Sequence, residues 1–104
     1  DCPIEEGNPL FEFYAAITRK DHSGLPAGGF QNQEIVTPLQ ALKMLTTWGA
    51  FAEFQEQKKG KLNIGYNADI TILSENIIEL DPLKVLNTQV LATIINGKIV
   101  FNKL

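Results

Sequence analysis

Few side chains in this sequence could take part in acid–base, nucleophilic or metal chemistry. The chain holds one histidine, His22, and one cysteine, Cys2, among scattered carboxylates. A histidine-rich metal centre needs more ligands of this kind than the chain supplies. A Ser-His-Asp triad could include His22, but the sequence has no Gly-x-Ser-x-Gly nucleophile elbow. Residues 24–29 also lack the Gly-Lys-Ser/Thr ending of a phosphate-binding loop, so no complete catalytic site is predicted.

The remaining candidates have simple structural interpretations beside the chemical ones. Asp1 is a single carboxylate, which spacing alone would assign to solvent. The lone thiol of Cys2 excludes a disulfide framework and a thiolate zinc site within the chain, and plain packing is its simplest role. Glu5 and Glu6 are expected to be surface charges rather than a catalytic pair. A solvated His22 is likewise the simplest expectation, with a substrate contact as the alternative.

The overall composition narrows the classes of function. The net charge is −3 and the nine basic residues are scattered, so we expect no nucleic-acid partner. No apolar run is long enough to span a bilayer, so no membrane association is expected. A lone thiol favours a reducing compartment, and we expect a cytoplasmic location. The first residue is Asp1 and the single methionine is Met44, so the chain is expected to be a piece of a longer protein.

An amphipathic helix is predicted near the beginning of the chain. Asn8 can cap this helix and Pro9 fits its first turn, where no amide donor is needed. Apolar residues at i, i+3, i+4 and i+7 then form one stripe, made of Leu10, Phe13, Tyr14 and Ile17. Residues 21–36 follow as a long irregular loop, and loops of this length often carry function.

A second helix is predicted after this loop. Thr37 and Gln40 have the spacing of a capping box around Pro38. The helix is expected to continue past Gly49, with a bend or close packing there, and to end near residues 55–57. Its large aromatic residues are expected to lie in the core; they are Trp48, Phe51 and Phe54.

The second half of the chain has the pattern of strands. Residues 68–73 predict a short strand, and residues 81–86 predict a helical turn. The segments 88–95 and 98–101 are rich in β-branched and apolar residues, and Asn96-Gly97 joins them. This dipeptide favours a type I′ hairpin turn, because both of its residues tolerate positive φ. The predicted fold class is therefore α+β, with helices first and strands last.

Taken in order, short motifs along nearly the whole chain resemble the end of the amidohydrolase family, in its N-substituted formamide deformylase-like subgroup. No single motif is specific, but the ordered set is. The motifs include Asp1-Cys2-Pro3-Ile4, Asn8-Pro9-Leu10, Tyr14–Arg19, Gly28-Gly29-Phe30, Ala41-Leu42, Lys59–Leu62, Ala68-Asp69-Ile70 and Val90–Ile94.

The resemblance implies a TIM-type (β/α)8 barrel and a small composite β domain. Residues 1–57 would be the end of the barrel, with the loop 21–36 near the active site, and residues 58–104 would belong to the β domain. Asp1 would match the aspartate at the end of the eighth barrel strand, which ligates a divalent metal, expected to be zinc, and acts as general base. The metal lowers the pKa of its bound water and polarises the scissile carbonyl. The resemblance also implies that Asp69 is not catalytic.

The resemblance therefore implies hydrolysis of carbon–nitrogen, non-peptide bonds in a small amide-type substrate by the parent protein. His22 would lie near the substrate. The chain alone is expected to be inactive and to bind no metal, because the histidine ligands of the family lie earlier in the parent. The alternative is a non-catalytic regulatory or interaction module of the exoenzyme-regulator type. With the barrel absent, the apolar stripe of the first helix would be exposed, and self-association or re-packing onto the hairpin is expected.

Overall fold

The computed structural model of the chain describes residues 2–104, which form helices and one small sheet. The helices are α1 (Pro9–Thr18), α2 (Pro38–Leu45), α3 (Thr47–Ala52) and α4 (Pro82–Val85), with a short 3-10 helix at Asn32–Glu34. The strands are β1 (Ile70–Leu73), β2 (Val90–Ile95) and β3 (Lys98–Asn102). They form one antiparallel sheet in the order β1-β2-β3. The predicted α+β class is confirmed.

Two compact units divide the chain. The first comprises the chain up to Leu42 together with Ile77–Thr88, and the second comprises Lys43–Asn76 together with Gln89–Leu104. In the described part of the chain, no helix has the length and apolar content needed to cross a bilayer.

The first unit is organised around α1. The Asn8 side chain caps this helix by accepting a hydrogen bond from the Leu10 amide at 3.0 Å, as predicted. The helix packs against α4, where Asp81 caps the first turn in the same way through the Leu83 amide at 3.0 Å. The buried apolar residues of this unit are Leu10, Phe13, Tyr14, Ala41, Ile77 and Val85.

This packing corrects the expectation that the stripe on α1 would be exposed. Phe13 and Tyr14 are each only 1% exposed, and Leu10 is buried too, whereas Ile17 is half-buried. The cover is α4, which confirms the helical turn predicted at residues 81–86. Its packing against α1, from which it is far along the chain, was not predicted. Self-association of the chain remains a prediction, although this stripe no longer offers an open surface for it.

The second unit contains the sheet. Asn96 and Gly97 have φ values of 50° and 79°, so the type I′ turn between β2 and β3 is confirmed. The turn is held to the segment before β1, because the Asn96 amide donates to Asp69 Oδ1 at 2.8 Å and the Gly97 amide donates to the Ala68 carbonyl at 2.9 Å. Asp69 therefore has a structural role in the sheet.

The predicted second helix is wrong in its length. The capping box is present, since the Thr37 amide donates to Gln40 Oε1 at 2.9 Å and the Gln40 amide donates to Thr37 Oγ1 at 3.2 Å. The helix nevertheless breaks at Thr46, whose φ of −128° and ψ of −92° are not helical. Two consecutive β-branched residues, Thr46 and Thr47, have low helix propensity, which favours a break at this point.

The predicted burial of the aromatic residues after this break is also wrong. Trp48, Phe51 and Phe54 are 48%, 68% and 88% exposed. The helical period does not continue through this segment, because the helix is interrupted at Thr46 and Phe54 itself has a φ of 60°. Hydrophobic character alone therefore does not determine whether a side chain is buried.

Candidate functional site

Near the start of the chain, a role in a site was predicted for Asp1 and His22, whereas Cys2 was expected to pack. Asp1 lies outside the described residues, so its role as metal ligand and base stays a prediction. Cys2 is exposed, so the expectation that its thiol packs is wrong. Its Cβ would lie 3.4 Å from a Cβ added at Gly7, so the segment turns closely here. His22 is exposed at the start of the predicted loop. The geometry available for a site is therefore that around His22.

Two aromatic side chains of α1 position the imidazole of His22. The ring of Phe11 meets it edge to face, with centroids 4.5 Å apart and planes at 64°. Tyr14 is a second edge-to-face neighbour at 6.1 Å and 81°. Such pairs contribute about 0.5–1.5 kcal/mol beyond the area they bury. The His22 side chain therefore has a defined position against α1, although it is open to solvent.

Asp21 holds the backbone on which His22 sits. Its Oδ1 accepts hydrogen bonds from the Ser23 amide at 2.8 Å and the Leu25 amide at 3.0 Å. Its carbonyl oxygen accepts from the Tyr14 hydroxyl at 2.7 Å and from the Gly24 amide at 3.0 Å. The first part of the loop is thus a compact turn fastened to α1 through a buried tyrosine, and the Asp21 side chain is committed to local structure.

The second part of the loop returns to the end of α1. The Phe30 amide donates to the Arg19 carbonyl at 2.8 Å, and Arg19 Nε donates to the Phe30 carbonyl at 2.8 Å. The Arg19 guanidinium also lies 5.9 Å from the centre of the Phe30 ring, a cation–π contact. Gly29, at a φ of 90°, passes so close to α1 that an added Cβ would be 2.3 Å from the Thr18 carbonyl oxygen. The loop 21–36 is therefore ordered along α1.

A depression of about 480 Å³ opens beside His22 and lies within the first unit. Its wall combines the segment before α1, the outer face of α1 and the start of the loop. The lining residues are Glu5, Glu6, Gly7, Asn8, Phe11, Glu12, Ala15, Lys20, Asp21 and His22. Four of these are carboxylates and one is a lysine, so the depression has an acidic rim with an aromatic wall at Phe11 and His22.

Phe11 is the lining residue that sequence reasoning missed. It lies outside the predicted stripe and carried no assigned role, yet it is the closest ring to His22. Its only sequence signal is its place one residue after Leu10, which turns it away from the core side of the helix. Tyr14 was predicted to belong to an exposed stripe; it is buried instead, and its second function of anchoring Asp21 was not predicted.

A second depression, of about 370 Å³, lies in the second unit. It is lined by Lys43, Thr47, Trp48, Phe51, Glu56, Lys59 and Lys61. Glu56 Oε2 is buried there without a hydrogen-bond partner among residues 2–104. Lys59 is already paired with Glu53. None of these residues was predicted to belong to a site.

The described residues do not fit a metal centre by themselves. Across residues 2–104, no group of three or more His, Cys, Asp or Glu side chains is arranged to hold a metal ion. The carboxylates around His22 therefore do not converge on one point, even though they share a depression.

Comparison with known proteins identifies the family. The model of the amidohydrolase family (Amidohydro_3) matches residues 1–101. The protein YtcJ of Bacillus subtilis (strain 168), provisionally named an amidohydrolase, is 32% identical over 103 residues, which are 99% of this chain and 20% of YtcJ. The chain thus spans about one fifth of the length of this curated relative. No solved structure matches the chain. Since the match runs along nearly its whole length, the chain belongs to the amidohydrolase family.

Proposed function

We propose that the protein to which this chain belongs hydrolyses carbon–nitrogen, non-peptide bonds in small amide-type substrates and depends on a divalent metal. The observation that carries the proposal is the family match over residues 1–101, supported by the ordered motifs of the sequence. Within the family we assign it to the N-substituted formamide deformylase-like subgroup, on the ordered motifs that run from Asp1 to Ile94.

Asp1 is the residue of this chain to which we assign catalysis, as metal ligand and as general base. A base at this place takes a proton from the attacking water, a contribution of roughly 10²–10⁴ in rate for positioned acids and bases. The remaining ligands would come from other parts of the parent protein, because residues 2–104 do not fit a metal centre. The chain alone is accordingly proposed to be inactive.

The proposal also assigns the parts of the chain to the parent architecture. Residues 1–57 would complete a TIM-type barrel, and residues 58–104 would form part of a small composite β domain. Catalytic residues of barrel enzymes lie at the C-terminal ends of the strands, which is the place assigned to Asp1. We further propose a cytoplasmic location for the protein and self-association of this chain.

His22 is proposed to contact the substrate rather than the reacting bond. Three features support this assignment. The imidazole is exposed, it is oriented by Phe11 at 4.5 Å, and it borders the depression whose wall begins a few residues after Asp1. An imidazole held in this way can donate or accept one hydrogen bond from a bound amide.

The test uses the complete parent protein. Its hydrolysis of N-formyl amines, other N-acyl amines and cyclic amides is measured, with a carboxylic ester as the comparison substrate and with metal content determined by elemental analysis. We expect amide hydrolysis that a chelator abolishes and zinc restores, and no hydrolysis by the isolated chain. Hydrolysis that survives complete metal removal would contradict the proposal. A metal-free, inactive protein that binds a protein partner would favour the regulatory module instead.

A further inference from the structure

The turn between β2 and β3 contains a bond that can react chemically without any enzyme. Asn96 is exposed and is followed by glycine, so no side chain hinders approach to the Gly97 nitrogen. In such a pair the backbone nitrogen can attack the side-chain amide carbon. A carbon–nitrogen bond then forms within a five-membered succinimide and ammonia leaves. Water opens this ring to aspartate or isoaspartate, with no change of oxidation state.

Two hydrogen bonds of the folded turn oppose closure of the succinimide ring. The Gly97 nitrogen that would attack is engaged, since its hydrogen is donated to the Ala68 carbonyl at 2.9 Å. The backbone nitrogen of Asn96 is fixed as well, by its hydrogen bond to Asp69 Oδ1 at 2.8 Å. Ring closure needs the Gly97 nitrogen free and the Asn96 backbone able to rotate. The turn must therefore leave the segment 68–69 before the reaction can proceed.

We propose that Asn96 is a deamidation site of this protein and that opening of the turn away from residues 68–69 sets its rate. The product would stabilise the opened state. Isoaspartate inserts a side-chain methylene into the backbone of a turn that needs φ of 50° and 79° at its two positions. Either product places a negative charge on residue 96, whose backbone amide is bound to Asp69 Oδ1 in the folded turn, and like charges repel.

The sequence supplies an internal reference for the experiment. Trypsin cuts after Lys84 and Lys98, and the resulting peptide 85–98 carries both Asn96 and Asn87. Asn87 is followed by the β-branched Thr88, which hinders ring closure. The chain is incubated at mildly alkaline pH, in native buffer and in concentrated urea, and deamidation at each asparagine is followed by peptide mass spectrometry.

In urea we expect Asn96 to deamidate well ahead of Asn87. In native buffer Asn96 should deamidate at least roughly ten times more slowly than in urea, because only the opened turn reacts. Asp69→Ala should raise the native rate about fivefold by removing one charged acceptor from the turn. Asp81→Ala, which removes a similar side-chain cap from α4 in the other unit, should leave the rate unchanged. All three chains should react equally in urea.

Three results would overturn the proposal. Equal rates in native buffer and urea would mean that the fold does not protect the turn. Equal native rates for Asp69→Ala and the unaltered chain would mean that the contact with residues 68–69 does not control opening. Reaction at Asn87 ahead of Asn96 in urea would mean that Asn96 is not the reactive asparagine.

Discussion

The hydroxyl of Tyr14 offers a sharp test of how the loop around His22 is held. The side chain is 1% exposed and its hydroxyl donates to the Asp21 carbonyl at 2.7 Å. Tyr14→Phe removes this bond and keeps the ring that contacts His22. The Asp21 carbonyl keeps its second donor, the Gly24 amide at 3.0 Å, so no acceptor is left without a partner. We therefore expect a loss of about 1 kcal/mol in the free energy of unfolding, within the usual range for one net hydrogen bond.

The measurement is urea unfolding followed by circular dichroism, together with amide hydrogen exchange across residues 21–25. A loss of this size corresponds to a fall in Tm of about 4–8 °C for a chain of roughly 100 residues. Exchange should become faster in residues 21–25 before it changes in the sheet, because the bond fastens only the loop. The amides expected to respond most are those of Ser23, Gly24 and Leu25, which bond to Asp21.

Tyr66→Phe is the matched control. Tyr66 lies in the other unit, is half-buried, and its ring contacts Lys61 at 6.0 Å without a hydrogen bond from its hydroxyl to any residue from 2 to 104. Its stability should change by less than about 0.5 kcal/mol. Equal effects of the two substitutions, or unchanged exchange in residues 21–25 of Tyr14→Phe, would refute the reasoning that Tyr14 anchors the loop.

Two further predictions concern the same region. Gly29→Ala should lower the free energy of unfolding by more than about 2 kcal/mol, since the new Cβ would lie 2.3 Å from the Thr18 carbonyl oxygen. Gly28→Ala, at a similar φ of 79° but with open space around it, should lower it by about 1 kcal/mol. Thermal unfolding measures both variants, and equal losses would contradict the close approach of Gly29 to α1. In the complete protein, His22→Ala should raise KM several-fold and leave kcat nearly unchanged, which steady-state kinetics on the preferred amide would check; a large fall in kcat would instead place His22 in the chemistry.

Local signals predicted much of the fold correctly. The caps at Asn8 and Thr37, the turn at Asn96-Gly97 and the strands on either side of it depend on residues close in sequence, and the structure contains all of them. The first two strands begin two residues later than predicted, at Ile70 and Val90, because pattern alone sets boundaries loosely.

Features that depend on distant residues were not predictable in this way. The cover of the α1 stripe comes from α4, about seventy residues along the chain, and periodicity does not say which element will supply such a cover. The exposed Trp48 and Phe51 are the reverse case, since apolar character predicted burial but the packing of residues 2–104 leaves both rings exposed. At the site, His22 was found because it is the lone histidine, while Phe11 became visible only through its 4.5 Å contact.

The assignment of catalysis to Asp1 is the central claim, and one pair of variants of the complete protein tests it most directly. Asp1→Asn keeps the size of the side chain and removes its ability to take a proton, so kcat/KM for amide hydrolysis should fall roughly 10²–10⁴-fold. Asp69→Asn keeps the oxygen that accepts from the Asn96 amide and should leave kcat/KM nearly unchanged. Equal activity of Asp1→Asn and Asp69→Asn, both near that of the unaltered protein, would contradict the assignment.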